Sequence, residues 1–178
     1  MTETLCFLDC DGVVADLCSA LAHLHGVPVE TWPAGEYDLT RILRKPVDHV
    51  WAPARGATFW ACLALLPWAR ELVDLCDARF KRQNVAFLTQ PVRDPQSLAG
   101  KAEWLREHFP GRAWFIGPGK AALARPGTVL IDDADVNVAA WRDKGGAACL
   151  FPQRWNAWHE SSHDPMALVR AWLEALPH

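Results

Sequence analysis

Two carboxylates separated by a single residue, Asp9 and Asp11, close the apolar start of Phe7-Leu8-Asp9-Cys10-Asp11-Gly12-Val13-Val14-Ala15-Asp16. Side chains two positions apart on a strand leave the same face, and Gly12 lets the chain turn sharply behind them. Two anions that close repel each other, and burial increases the repulsion. Such a pair persists when a cation lies between, when one carboxyl is protonated, or when water screens both. On its own it also reads as an acidic turn at a strand end. A second apolar run ends the same way, in Val129-Leu130-Ile131-Asp132-Asp133-Ala134-Asp135-Val136-Asn137. One of these aspartates could simply cap the next helix. Two such clusters at one edge suit Mg²⁺, which is typically held by one or two carboxylates together with substrate phosphate and water.

Two further runs end in groups that could meet an anion. Ala86-Phe87-Leu88-Thr89-Gln90-Pro91 places a hydroxyl at a strand end, with backbone N–H groups following. Phe115-Ile116-Gly117-Pro118-Gly119-Lys120 brings an ammonium up on a tight, glycine-bearing loop, where it would act as a point charge for a phosphate. Lys101, at the start of the helix after Thr89, is the competing lysine; a solvated surface charge is the ordinary fate of either. Taken in order, the strand ends offer Asp-x-Asp, Thr, Lys and Asp-Asp. These are the parts of phosphoryl transfer, a chemistry of positioning and charge neutralisation.

The elements that must position these groups are legible as short apolar runs: Leu5–Leu8, Val85–Leu88, Ala113–Ile116, Val129–Ile131 and Ala147–Phe151. Continuous apolar character over so few residues fits strands buried on both faces. Helical spacing fills the gaps, through Ala69, Leu72, Val73 and Cys76, then Leu98, Ala102, Leu105 and Phe109. Val138, Ala139 and Trp141 follow the fourth strand, and Met166, Leu168, Val169, Trp172 and Leu176 predict a closing helix. Strand–helix alternation implies right-handed crossovers. The expected class is α/β: a three-layer, Rossmann-like parallel sheet that collects ligands at the carboxyl ends of its strands. One stretch breaks the rhythm. Residues 16–64 carry helical pieces at Leu17–Leu24, Leu39–Leu43 and around Val47–Trp51, with a turn at Trp32-Pro33-Ala34-Gly35. That is far beyond an ordinary βα connection, so the expected division is a core of 1–15 and 65–178 with a small helical cap of 16–64 inserted after the first strand.

Composition bounds the partners. The 178 residues are 51% hydrophobic and 22% charged, with a formal net charge of −3, which suits a packed core rather than disorder. A slightly acidic chain is a poor partner for polymeric nucleic acid, but a metal ion could still bring it one small phosphorylated substrate. No apolar run is long enough to span a membrane, and the start lacks a secretory pattern, so a soluble, cytoplasmic protein is expected. A homodimer is compatible with the sequence and is not required by it. The six cysteines are scattered without a C-x-x-C pair and are expected to be free, mostly buried thiols. His159-Glu160-Ser161-Ser162-His163 matches the H-E-x-x-H zinc signature in letters only. That motif needs a continuous helix, which two serines and Asp164-Pro165 oppose.

The ordered set Asp-x-Asp-Gly-Val, Thr, Lys, Asp-Asp resembles the haloacid dehalogenase (HAD) superfamily of phosphohydrolases over essentially the whole chain. A closer likeness is to the 5′(3′)-deoxyribonucleotidase family. It is carried by Leu8–Asp16, Glu36-Tyr37-Asp38, Phe59-Trp60, Thr89-Gln90-Pro91, Lys101 with Trp104 and His108-Phe109, Ile131-Asp132-Asp133, and Leu150-Phe151 followed by Trp155-Asn156. Gln90 departs from the family's usual Ser, and Cys10 from its usual Met, Leu or Phe. The resemblance implies a Mg²⁺-dependent phosphomonoesterase acting on nucleoside monophosphates through an aspartyl phosphate. In that scheme Asp9 is the nucleophile and Asp11 the general acid and base. Mg²⁺ is held by Asp9, Asp11 (through its carbonyl) and Asp133, with Asp132 in support. Thr89, Gln90, Lys120 and Lys101 are the candidates for holding phosphate, and Asn137 for orienting a carboxylate. Trp32, Tyr37, Trp51, Phe59 and Trp60 are the aromatic candidates for contact with a base, Tyr37, Phe59 and Trp60 foremost, although aromatic residues in a cap also form its own core. Other small phosphomonoesters, or a non-catalytic binding role, are the competing expectations.

Overall fold

A computed structural model describes residues 3–177. Five strands, β1 (Leu5–Leu8), β2 (Val85–Thr89), β3 (Ala113–Ile116), β4 (Thr128–Asp132) and β5 (Ala147–Leu150), form one parallel sheet in the order β3-β2-β1-β4-β5. The strands match the apolar runs of the sequence, except that β2 and β4 run one residue further at the carboxyl edge, to Thr89 and Asp132, β4 also starts one residue earlier, at Thr128, and β5 stops at Leu150. The chain moves from β1 to β2 and β3 on one side, then returns to β4 on the other. β1 and β4 therefore flank the point where the strand order reverses, the place where such sheets bind ligands.

Alternation along each strand builds two cores. Cys6, Leu8, Phe87, Val129 and Ile131 face α5 (Ala69–Phe80), α6 (Gln96–His108) and α8 (Pro165–Ala175) through Leu72, Val73, Cys76, Leu105, Val169 and Leu173. Phe7, Leu88, Leu130 and Leu150 face the other way, onto Val138 and Trp141 of α7 (Asp135–Asp143). Three layers result, helices over sheet over helix. The six cysteines are free, four of them fully buried. The zinc-like pentapeptide is no helix: His159–Ser161 is one 3₁₀ turn, and α8 starts afresh at Pro165 with the Asp164 carboxylate accepting from Ala167 N at 3.2 Å. Among the described residues no helix is long and apolar enough to cross a membrane.

Between β1 and α5 lie four short helices: α1 (Leu17–His25), α2 (Leu39–Leu43), α3 (Val47–Trp51) and α4 (Ala57–Ala61). The first three fall where helical spacing put them. The fourth was missed, because five residues, two of them aromatic, carry no readable period. Asp16 and Asp38 cap α1 and α2 through their side chains. The inserted segment leaves and rejoins the core through a short ladder in which Asp16 N donates to Ala64 O and Leu66 N to Val14 O, both at 2.9 Å. Indole N–H groups brace the same region. Trp68 donates to Val13 O at 2.9 Å, Trp104 to Leu63 O at 2.7 Å, Trp60 to Ala54 O at 3.0 Å and Trp32 to Val27 O at 3.1 Å. A large apolar ring with one polar handle suits a loop-rich region that must be both packed and hydrogen-bonded, which accounts for part of the chain's ten tryptophans.

The fold predicts its own weak point. Leu130 is fully buried at the centre of the sheet against α7. Leu130→Ala should destabilise the protein by about 2–5 kcal/mol, read as a lower urea midpoint with an unchanged slope.

Candidate active site

The register brings the chemistry together. Leu8 lies opposite Ile131 and Phe87, so Asp9 emerges beside the end of β4 and one strand from Thr89. Asp9 N is tied to Ile131 O at 2.9 Å, and Phe151 N to Asp132 O at 2.8 Å. Ligand oxygens of Asp9, Asp132 and Asp133 fall within 4.8 Å of one another, and all three residues are buried. Lys120 Nζ sits among them, 2.7 Å from Asp9 Oδ1 and 2.6 Å from Asp132 Oδ2. Asp132 is otherwise saturated: Asn137 Nδ2 donates to both of its oxygens at 3.1 Å, and Ala134 N to Oδ1 at 2.9 Å. Asp9 Oδ1 also accepts from Cys10 N at 2.7 Å, so Oδ2 is the Asp9 oxygen without a protein donor among the described residues.

Asp133 is held from a loop that the sequence reading gave no role. Trp155 Nε1 donates to Asp133 Oδ2 at 2.6 Å, and Asn156 Nδ2 bridges Asp133 O (2.9 Å) and Phe151 O (2.7 Å). Gln153 Nε2 reaches back to Gly12 O. The signal was present in the Trp155-Asn156 pair quoted for its family likeness, but nothing local says that an indole there meets an aspartate 22 residues away. Trp155 also packs on Trp32 of the inserted segment, with ring centroids 6.3 Å apart. Gly12 has a φ of +75°, and a Cβ there would overlap the Asp133 carboxylate. The turn after Asp11 therefore requires glycine for both space and conformation.

Charge is unbalanced at this edge. Three buried carboxylates share one ammonium. Burial raises the Asp9 carboxyl from its usual 3.8 to about 7, against the opposing pull of Lys120. Burial, then Asp9 and Asp132, push Asp133 well above the carboxylate range. Burial alone would lower the Lys120 ammonium, but Asp9 and Asp132 outweigh it and hold it charged. Hard oxygen donors with an excess of buried negative charge fit a divalent cation such as Mg²⁺.

The second lysine stands elsewhere. Lys101 Nζ donates to Asp11 Oδ2 and, at 3.0 Å, to Thr89 Oγ1, and it lies 4.8 Å from the centre of the Trp60 ring. Lys120, not Lys101, lines the cleft above the strand ends, which has a cavity volume of about 260 Å³. Its floor is Asp9, Asp11, Thr89, Lys120 and Asp133; Gln90 stands at its side, and Tyr37, Trp32, Trp51 and Leu39 come from the inserted segment. The aromatic expectation thus divides. Tyr37 faces the cleft. Phe59 and Trp60 do not line it: Trp60 is fully buried, stacked on Trp51 at 6.2 Å and edge-on to Phe59 at 5.2 Å. Trp32 and Trp51, the other expected aromatics, do line the cleft, and Trp155 lines it without having been given a ligand role from the sequence.

No protein-family model and no curated protein matches this sequence. Solved structures do. A haloacid dehalogenase-like family hydrolase from Streptococcus pneumoniae superposes with a TM-score of 0.54 at 15% identity, over 96% of this chain and 98% of that one. The fold is haloacid dehalogenase-like. A HAD family enzyme from Bacteroides thetaiotaomicron, solved with magnesium and inorganic phosphate, aligns at 12% identity with a TM-score of 0.43, over 89% of this chain and 98% of that one. In the haloacid dehalogenase-like fold of this chain, the carboxylate cluster lies at the sheet's switch point, beside the inserted helices.

The excess of buried negative charge predicts a pH response. A carboxyl at about 7 in the folded protein and near 3.8 when unfolded binds more protons folded than unfolded between those values. Stability of the metal-free protein should therefore fall as pH rises from about 4 to 7. Added Mg²⁺ should raise the melting temperature most at the upper end of that range, as thermal melts across the series would show.

Proposed function

We propose that this chain is a Mg²⁺-dependent phosphomonoesterase that dephosphorylates nucleoside monophosphates, deoxyribonucleotides foremost, through an aspartyl phosphate on Asp9. The observation that carries this reading is the placement of Asp9. It is a buried carboxylate at the floor of an aromatic-walled cleft, with one oxygen held by Lys120 and Cys10 N and the other free. A bound Mg²⁺, for which Asp9, Asp133 and the Asp11 carbonyl are the proposed ligands, would neutralise phosphate charge so that an anionic nucleophile can approach an anionic substrate. Asp132, saturated by Lys120 and Asn137, supports that set by orienting Lys120.

The residues then act as follows. Asp9 Oδ2 bonds to phosphorus as the bond to the leaving oxygen breaks. Asp11 gives that oxygen its proton. In the second half Asp11, now a carboxylate, takes a proton from water while the water oxygen bonds to phosphorus. The bond to Asp9 breaks and inorganic phosphate leaves. Thr89 Oγ1 and Lys120 hold the phosphate oxygens, with Gln90 beside them. Acid–base help of this kind is typically worth about 10²–10⁴-fold. The nucleotide part of the reading rests on the family likeness and on the walls of the cleft. Tyr37 and Trp51 offer flat faces on which a base could stack, and such stacking is worth about 1–3 kcal/mol per base.

Phosphate release from a panel of ribo- and deoxyribonucleoside 5′- and 3′-monophosphates, with sugar phosphates alongside and with or without Mg²⁺, tests this directly. Mg²⁺-dependent release is expected, greatest on deoxyribonucleotides and abolished in Asp9→Asn. Turnover of sugar phosphates alone would remove the nucleotide assignment, and no Mg²⁺-dependent release from any monoester would remove the enzyme. If a base stacks in the cleft, Trp51→Ala should raise KM for nucleotides roughly tenfold, the size of one lost stacking contact, while leaving KM for a small sugar phosphate nearly unchanged.

A further inference from the structure

Lys101 and Trp60 were singled out as ligand residues, yet neither lines the cleft. The Lys101 side chain is 3% exposed, an unusual position for an ammonium, and it is held on every side. Its Nζ meets Asp11 Oδ2 and Thr89 Oγ1 and rests over the Trp60 ring. At the residue before it, Gly100, α6 passes close against α4: a Cβ at Gly100 would overlap Ala57 O and come within 2.7 Å of Trp60 Cβ. Only glycine permits that approach, and the approach brings the indole face under the ammonium.

The consequence falls on Asp11. Its Oδ2 is occupied, accepting from the Lys101 ammonium. Its Oδ1 is shielded from water and has no hydrogen-bond partner, a costly state for a buried carboxylate oxygen unless something else comes to meet it. Of the two oxygens, Oδ1 is thus the one left without a protein partner. We propose that Lys101, seated by Trp60 of α4, is the positioning residue for Asp11, occupying one carboxylate oxygen so that the other exchanges the proton with the reacting oxygen. This rests on the phosphomonoesterase reading above and deepens it, because it gives the inserted helix α4 a part in the acid–base step rather than in contact with a base. The step itself balances as before: Oδ1–H breaks as the alcohol O–H forms, and the reverse transfer takes the proton from water.

Leaving-group dependence reads this role. Proton delivery matters for a nucleoside monophosphate, whose leaving alkoxide is basic, and far less for 4-nitrophenyl phosphate. Lys101→Met should lower kcat on the nucleotide by about 100-fold or more, with a much smaller loss on the aryl ester and little change in KM for either. Trp60→Leu should move the ratio of the two rates in the same direction, and Trp60→Phe, which keeps a ring face for the ammonium, should largely restore it. Trp60 variants also carry the test should Lys101→Met fail to fold, as judged by circular dichroism. Equal losses on both substrates together with raised KM would overturn the proposal and make Lys101 a phosphate ligand. Were the wild type inactive on every monoester, the enzymatic reading would fall by itself. The crystal structure of Lys101→Met would then decide the positioning role: an Asp11 carboxylate turned from its place supports it, and one left unmoved overturns it.

Discussion

Like charges gathered at the end of a buried sheet are the constraint on which the rest of this molecule depends. Asp9, Asp132 and Asp133 reach one point from two strands that are neighbours only in the folded chain. Each would repel the others, and each loses hydration there. The fold tolerates this because it compensates the three differently. Asp132 is neutralised and saturated within the protein, by Lys120, Asn137 and a backbone N–H. Asp9 is half satisfied, and Asp133 accepts a single indole N–H at its carboxylate. The gradient from saturated to nearly bare separates a carboxylate that holds the site together from those left free to meet a cation and a phosphate.

The scaffolding around that gradient comes from outside the strands that carry it. Gly12 clears the space beside Asp133, and the 153–156 loop closes over it from the end of β5. That loop is also where the inserted segment docks. Arg154 Nε donates to Trp32 O at 2.7 Å, Gly35 N donates to Arg154 O at 2.8 Å, and the Trp155 ring packs on Trp32. One short loop thus touches the carboxylate cluster with one side chain and the wall of the cleft with the next. A shift of the inserted helices would be felt at Asp133 through a chain of direct contacts rather than at a distance.

What could be read in advance follows the range of the interactions. The central strands were legible because burial on both faces writes a continuous apolar run, as at Leu5–Leu8 and Val85–Thr89; the edge strand Ala113–Ile116 stands where its run does although Ala113 and Phe115 are exposed. The carboxylates were legible because a strand end has an address: Asp9, Thr89 and Asp132 had to share an edge once the sheet was parallel. The α4 helix was not legible, being too short to show a period. Nor were the duties of Trp60, Lys101 and Trp155. Each is decided by a partner far away in sequence (Lys101 with Asp11, Trp155 with Asp133), and an aromatic or a lysine looks the same in a core, under an ammonium or against a ligand. Type and spacing identify which groups can do chemistry; only packing says which of them face the substrate.

The two lysines show why that distinction governs function. Both are buried, both pair with an aspartate of the Asp-x-Asp unit, and both stand within reach of a strand end. Lys120 bonds to Asp9 and opens onto the cleft, so its charge is available to whatever binds there. Lys101 bonds to Asp11 and Thr89 and is covered by Trp60, so its charge is spent inside the protein. The same ammonium therefore serves opposite ends according to the neighbour across from it: in the proposed reaction, one draws an anion in, and the other fixes the direction of a carboxyl that would give up a proton and take one back. The proposed alternation of attack and proton transfer on two aspartates one residue apart would need both. Alternating side chains alone would point Asp9 and Asp11 the same way, and it is the two lysines, arriving from different elements, that give them different surroundings.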